Sequence, residues 1–355
     1  MIILILLKKL IIGKVTNKEY GSDFHYCYNN IGETKKPFFN EKFSFFFSGR
    51  VALYNLLESG IKKYGWKKIG FPAYYCHEVV EYCKSLPAEI EYYSHNPLSD
   101  VLPLWDDEAG NVFINVDFFG IKKIDTAFLI NSIIIEDLTH NLLSVNKSGA
   151  HFCFGSLRKQ LPIATGGFVY SKDKDIECQN QYKEFANETA LQKLTAMFLK
   201  SEYLKGNFNE KDIYRAMFSE AEEKFELSQT NARLPELIET QLFSLSPVDL
   251  ISKTYDNILY AKRLIVHSEK ISLLVSSQKS DMGLVLICEN NDTRDQLRTY
   301  LVDNKIYPAV LWPEQFGASE TDLQNKILFV HADFRYEKSD LDFIVEVINK
   351  FIENV

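Results

Sequence analysis

Three short stretches hold residue types that can do chemistry. In "SLRKQLPIATGG", residues 156–167, Ser156 stands three residues before Lys159, Arg158 doubles the positive charge, and Gly166-Gly167 closes the segment. A lysine becomes a nucleophile toward carbonyl carbon only where burial or neighbouring cations lower its pKa. On the dipeptide alone, Lys159 reads as a surface lysine. In "IIIEDLTH", Asp137 ends an apolar run, where an unpaired carboxylate is costly and a cationic partner is expected. Glu136 would point to the opposite face of an extended strand. The ordinary readings of such an Asp are a helix N-cap or a salt bridge. In "FFFSGRVALYNLL", Ser48-Gly49-Arg50 directly precedes an amphipathic stretch. The free N–H groups and dipole of a helix start favour an anion there, although Ser at this place is also a common N-cap. Ser156 offers a second hydroxyl for the same anion. One lysine, one carboxylate facing a ring nitrogen and one phosphate site are the requirements of pyridoxal 5'-phosphate.

The elements that must position these residues alternate in type from about residue 45 to 170. "VALYNLLESGIKKYG" has helical spacing at Val51, Leu53, Leu56, Leu57 and Ile61; "KKIGFP" follows as a strand and "HEVVEYCKSL" as a helix. "AEIEYYS", "NVFINVDFFG", "SIIIEDLTH" and "GGFVYSKDK" are short β-branched or aromatic runs bounded by turn residues. Strands alternating with helices predict an α/β fold with a mostly parallel, covered sheet. Ligands gather at the carboxyl ends of such strands, which singles out the residues after Pro72, Asp117, Asp137 and the segment from Ser156 to Lys159. Residues 175–265 are mainly helical in pattern, and Pro247 marks a boundary. The division is a large domain over 1–246, with residues 1–44 packing on it or on a partner subunit, and a smaller α/β domain over 247–355. In the latter, "GLVLICEN" is a strand, and "TRDQLRTYLVDNK" and "SDLDFIVEVINKFIENV" are helices opened by capping-type residues.

Charge and composition exclude several classes. The 355 residues carry a formal net charge of −8, and no run of Lys and Arg is long enough for a nucleic-acid footprint. Six Cys are scattered without CxxC spacing, which argues against a disulfide framework and against a metal site and fits a reducing, cytoplasmic setting. The apolar start "MIILILLKKLIIG" is broken by Lys8-Lys9 and is too short for the roughly 20 residues of a membrane helix. A strand or short helix packed on the body or on a partner is one reading, and contact with a membrane surface is the other.

In this order, "SGRVAL", "GFPAYYCHEVVE", "FINVDFFG", "IIIEDLTH" and "FGSLRKQLPIATGGFVY" resemble successive motifs of the DegT/DnrJ/EryC1/StrS-type pyridoxal-phosphate sugar aminotransferases. These belong to fold type I, the aspartate aminotransferase-like superfamily. The resemblance covers roughly residues 45–170, with a fainter echo at the C-terminus. It implies a three-layer α/β sandwich plus a smaller domain, a homodimer, an amino donor such as glutamate and a nucleotide-linked keto-sugar as acceptor. Residue by residue, it makes Lys159 the cofactor-bearing catalytic lysine and Asp137 the partner of the ring nitrogen. Ser48, Gly49, Arg50 and Ser156 fall on the phosphate, and His140 near the ring's 3-hydroxyl. An aromatic stacked on the ring is expected among Tyr75, Cys76 and His77. Asp117 stands where a His is common, Arg50 where Thr is usual, and the Ser-to-Lys spacing is shorter than the family's. Arg335, in "FVHADFRYEKSDLDFI", is a candidate for a substrate carboxylate or phosphate, or else a partner of Asp333 or Glu337. Another pyridoxal-phosphate reaction on this scaffold, or a relative that only binds, are the alternative functions.

Overall fold

The structure, a computed structural model, describes residues 17–27, 37–173, 176, 178–226, 231–275 and 282–354. The reading of the apolar stretch 1–13 lies outside these residues.

Helix α1 (Gly49–Tyr64) starts where Ser48 accepts a hydrogen bond from the Val51 N–H at 3.4 Å, and it ends where Gly65 turns left-handed at φ 69°. Its apolar positions Val51, Ala52, Leu53, Leu56 and Leu57 are buried. They lie over one face of a seven-stranded sheet built from β2 (Phe43–Phe46), β3 (Lys68–Pro72), β4 (Glu89–Tyr93), β5 (Asn111–Val116), β6 (Ile133–Asp137), β7 (Phe152–Ser156) and β8 (Gly167–Ser171). The strand order is β2-β8-β7-β6-β5-β3-β4, with parallel pairing from β7 through to β4 and antiparallel pairing at β8 and β2.

Alternation along the strands divides the core between the two faces. Phe152, Phe154 and Val169 pack with α1 and with α2 (His77–Cys83). Cys153, Phe168 and Tyr170 pack instead with α3 (Glu184–Leu204), α4 (Lys211–Glu226) and α5 (Glu236–Ser244). Helix, sheet and helix form the three layers. Every residue of β5 is buried, as expected of a central parallel strand.

After α5 comes α6 (Pro247–Lys262), then a three-stranded antiparallel sheet, β9 (Ile271–Leu273), β10 (Leu284–Cys288) and β12 (Ile327–Val330), with α7 (Asn291–Asp303), α8 (Ala318–Lys326) and α9 (Lys338–Glu353). The caps of α7 and α9 lie slightly upstream of the residues singled out in the sequence. Asn290 accepts from the Thr293 N–H at 2.9 Å, and Glu337 forms a capping box with Asp340. No described helix is long and apolar enough to cross a membrane.

The N-terminal segment departs from its expected place. A short strand β1 (Tyr20–Gly21) pairs in parallel with β11 (Ile306–Tyr307), and Tyr20 belongs to the hydrophobic core of the C-terminal layer. Phe24, Tyr26 and Cys27 rest on the helical side of the large sheet. Residues 17–27 therefore join the two layers, with Tyr20 buried in one core and Phe24, Tyr26 and Cys27 packed against the other.

The Gly pair is explained by packing. A Cβ on Gly167 would fall 2.1 Å from the Ser48 carbonyl oxygen and 2.5 Å from the Gly49 nitrogen, so β8 presses its backbone directly against the start of α1. Gly167→Ala is expected to cost about 3 kcal/mol in urea unfolding, the scale of an overpacked core. Gly149→Ala, where nothing lies within 4 Å of the added carbon, is expected to stay within about 0.5 kcal/mol.

Candidate active site

The carboxyl ends of β3, β5, β6 and β7, the start of α1 and residues 309–313 of the C-terminal layer surround a cavity of about 400 Å³. Most residues at its polar wall come from strand ends, as the parallel order dictates.

Asp137 closes β6 and is buried. Its Oδ1 accepts the Thr139 N–H at 2.9 Å and its Oδ2 accepts the Tyr75 hydroxyl at 2.5 Å. Among the described residues no cation pairs with it, and burial raises its pKa above the ordinary carboxylate value. Glu136, on the other face of the strand, pairs with Lys123 at 2.8 Å.

The anion corner is tightly built. Ser48, Gly49 and Ser156 line it, and a Cβ on Gly49 would meet Ser156 at 3.0 Å. The Ser156 N–H donates to the Thr139 hydroxyl oxygen at 3.0 Å, fixing the loop. Arg50 lines the cavity as well, with its guanidinium held at 2.7 Å by the exposed Glu78.

Lys159 ends a 3-10 turn, Leu157–Lys159. It is solvent-accessible and lines both this cavity and a smaller one of about 130 Å³, which it shares with Asp23, Lys193 and His331. It makes no hydrogen bond or ion pair among the described residues. The charge of Arg158 first, and burial second, lower its pKa to about 8. Arg158 is therefore a neighbour in space as well as in sequence. Its fork grips Glu222 at 3.1 and 2.9 Å, and it lies 4.7 Å over the Phe225 ring. Lys193 reaches the same carboxylate. Against the cost of burial, Arg158 and Lys193 hold Glu222 at about 2.

His140 lies parallel to Phe119 and to Trp312, with an 11° interplanar angle to each. Its Nδ1 accepts the Phe119 N–H at 3.2 Å, which leaves the proton of the neutral ring on Nε2. Burial, then the Lys159 charge, hold its pKa down at about 3. Asp117, just past the end of β5, is only 1% exposed. Asn141 donates to its Oδ2 at 2.6 Å, Oδ1 has no partner, and burial raises its pKa to about 6.

Of the three candidates after β3, the structure brings two to the cavity. Tyr75 anchors Asp137, and Cys76 lines the wall. His77 opens α2 and faces away, against Phe316 at 3.9 Å and Tyr92 at 5.9 Å between ring centroids. Arg335 also lies outside the lining. Its Nε and Nη2 donate to Asp333 at 2.8 and 2.7 Å, its Nη1 donates to the Asp23 carbonyl at 3.2 Å, and Phe24 covers its face at 4.5 Å. Three of its five N–H donors are engaged and the side chain is only 2% exposed, so it does not reach the cavity.

Thr139, Glu222, Trp312 and His331 are among the lining residues that were not singled out in the sequence. Thr139 stood within the quoted "IIIEDLTH". His331 stood within the quoted "FVHADFRYEKSDLDFI", whereas Glu222 and Trp312 lie outside every quoted stretch.

This arrangement of sheet, helices and strand-end cavity is the fold of the pyridoxal-phosphate-dependent aminotransferases. Among solved structures the chain is similar to PseC of Helicobacter pylori, an aminotransferase involved in the biosynthesis of pseudoaminic acid, at 12% identity over 95% of this chain and 100% of that one, with TM-score 0.60. It is similar to NtdA of Bacillus subtilis, solved with bound cofactor PMP, at 12% identity over 88% and 73%, TM-score 0.56. A DegT DnrJ EryC1 StrS aminotransferase from Brucella abortus matches at 14% identity over 87% and 85%, TM-score 0.54. At such identities the likeness is one of fold. No protein-family model and no curated protein matches the sequence.

The cation beside Lys159 makes a measurable difference. Above about pH 8 the wild-type amine is mostly neutral; without the Arg158 charge its pKa rises toward the ordinary lysine value. Arg158→Gln is therefore expected to move the pH midpoint of Lys159 acetylation, read by competitive labelling and mass spectrometry, to higher pH.

Proposed function

We propose that this protein is a pyridoxal-phosphate-dependent aminotransferase that moves an amino group from an amino acid, glutamate by resemblance, to a nucleotide-linked keto-sugar. The observation that carries the proposal is the pairing, across one cavity, of an unpartnered lysine whose pKa is lowered to about 8 with a buried carboxylate that lacks a cation. The residues fit the cofactor in three ways. Asp137 needs a cation and a pyridinium nitrogen supplies one; the Ser48-Gly49 helix start and Ser156 suit a phosphate; Lys159 is a free amine. When bound, pyridoxal phosphate supplies a ring that accepts electrons from the carbon being deprotonated.

The chain's own residues divide the remaining work. Ser48, Gly49 and Ser156 hold the phosphate, with Arg50 adding positive charge that Glu78 partly offsets. Asp137 keeps a proton on the ring nitrogen. Once released from the cofactor, Lys159 acts as general base and acid at the substrate carbon, with a pKa near its working pH. Neutral His140 offers its Nε2–H to an oxygen on the ring. Asp117 lines the cavity, and its Oδ1, buried and without a partner among the described residues, is a candidate acceptor for a substrate hydroxyl. Trp312, Leu311 and Pro313 from the C-terminal layer form the apolar wall on the acceptor side. The proposal includes a homodimer in the cytoplasm.

Adding pyridoxal phosphate to the purified protein is expected to produce a visible absorption band, and borohydride to fix the label on the Lys159 peptide. Lys159→Ala is expected to give neither, and glutamate to discharge the band with release of 2-oxoglutarate. A protein that takes up no pyridoxal phosphate would overturn the proposal. One that takes it up but ignores every amino donor would replace amino transfer by another pyridoxal-phosphate reaction. A panel of nucleotide-linked keto-sugars then identifies the acceptor by which one accepts the amine.

A further inference from the structure

Tyr75 stood among the candidates for stacking on a ring, and its placement gives it another task. It lies in the turn between β3 and α2, is 2% exposed, and its ring packs on Phe71 at 5.9 Å and on Trp312 at 5.6 Å. Those contacts fix the phenol so that its hydroxyl lies 2.5 Å from the Asp137 Oδ2. A carboxylate has about four lone-pair sites. Here the Thr139 N–H takes one on Oδ1 and the Tyr75 hydroxyl one on Oδ2, and the Thr139 side chain adds to the hold, so the carboxylate keeps a site for a further donor. The other titratable groups of this wall, Cys76, Asp117, His140 and Lys159, make no hydrogen bond to the Asp137 side chain among the described residues.

We infer that Tyr75 is a positioning residue which, through its hydrogen bond to Asp137, sets where the proton shared between Asp137 and the cofactor's ring nitrogen resides. This rests on the function proposed above. The physics is a competition between two bases for one proton. In a site without a cation, a buried carboxylate is a strong base, and desolvation already pushes Asp137 in that direction. Were it stronger still, the proton would leave the ring nitrogen for Oδ2, giving a neutral acid beside a neutral ring, and the ring would lose its electron-accepting charge. A phenol donating to Oδ2 spreads the carboxylate's negative charge and weakens it as a base, because hydrogen bonds to ionised groups are about twice as strong as neutral ones. Burial and the Asp137 charge hold the Tyr75 pKa well above its ordinary value, so the phenol stays protonated and can only donate. Thr139 acts in the same sense, through its backbone N–H on Oδ1 and through its side chain, and Tyr75→Phe leaves both in place.

The test is the nitrogen-15 chemical shift of ring-labelled pyridoxal phosphate in the loaded protein, which separates a pyridinium from a neutral pyridine. The wild type is expected to read as pyridinium. Tyr75→Phe keeps the ring, the phosphate corner and Lys159, and is expected to load while moving the proton equilibrium about tenfold or more toward Asp137, the loss of one charge-assisted bond. A Tyr75→Phe protein with the wild-type shift across the pH range overturns the inference. If Tyr75→Phe fails to fold or to load, a fluorinated tyrosine at position 75, a stronger donor of nearly the same shape, takes its place. Its ring shift is expected to stay at the pyridinium limit, and movement toward neutral pyridine overturns the inference. A wild-type protein that binds no pyridoxal phosphate counts against the proposed function itself, so the two failures are told apart.

Discussion

A carboxylate set at the end of a buried parallel strand with no cation beside it is the constraint around which this site is organised. Desolvating an ion costs several kcal/mol unless partners make up the loss, and among the described residues Asp137 receives hydrogen bonds only from Tyr75 and Thr139. Each of its surroundings follows from that shortage. The turn after β3 brings a phenol to one oxygen, the backbone after β6 turns back to serve the other, and the remaining lone pairs look into the cavity. Position along the strand decides the outcome: one residue earlier, Glu136 points to the other face and finds Lys123.

The opposite wall has a surplus of the other sign. Arg158, Lys193 and Lys159 gather close to Glu222, and Arg158 and Lys193 take up the carboxylate, leaving Lys159 in a cationic field without a counter-ion of its own. The two walls are thus complementary and uncompensated, a carboxylate without a cation facing a lysine without an anion. Neither would persist on stability grounds alone. His140 is kept neutral between them by burial and by the Lys159 charge.

How much of this could be read in the chain depends on where each residue stands relative to the strand pattern. Asp137, Ser156 and the Ser48-Gly49 start were legible because each sits where an apolar run ends or a helical spacing begins, and a parallel sheet turns such ends into one crevice. The Gly pair was legible as a turn, whereas its pressure on the α1 start required the pairing of β8 with β2. The turn after β3 has no period, so nothing in "AYYCHEV" distinguishes the inward Tyr75 from the outward His77. The weight of Arg158 on Lys159 also needed the structure, because adjacency in sequence does not say whether two cationic side chains lie close in space. Arg335 needed its surroundings: Asp333, Phe24 and the Asp23 carbonyl meet it from segments over 300 residues apart. Trp312 and His331 arrive from the C-terminal layer, so they stayed hidden until that layer was placed over the strand ends.

The pairing of Tyr20–Gly21 with Ile306–Tyr307 also bears on how the chain is made. The partners are 286 residues apart, 306 minus 20. At the usual pace of synthesis, about 5–20 residues per second, the first strand waits on the order of 15–60 seconds for the second to be made. Over that interval the partner that satisfies this backbone edge does not yet exist, and an edge without its partner is a template for wrong pairing. The short strand at Tyr20–Gly21 therefore finds its place only after every strand of the large sheet has been made, and its ring is covered later still, when Tyr336 and Phe343 arrive.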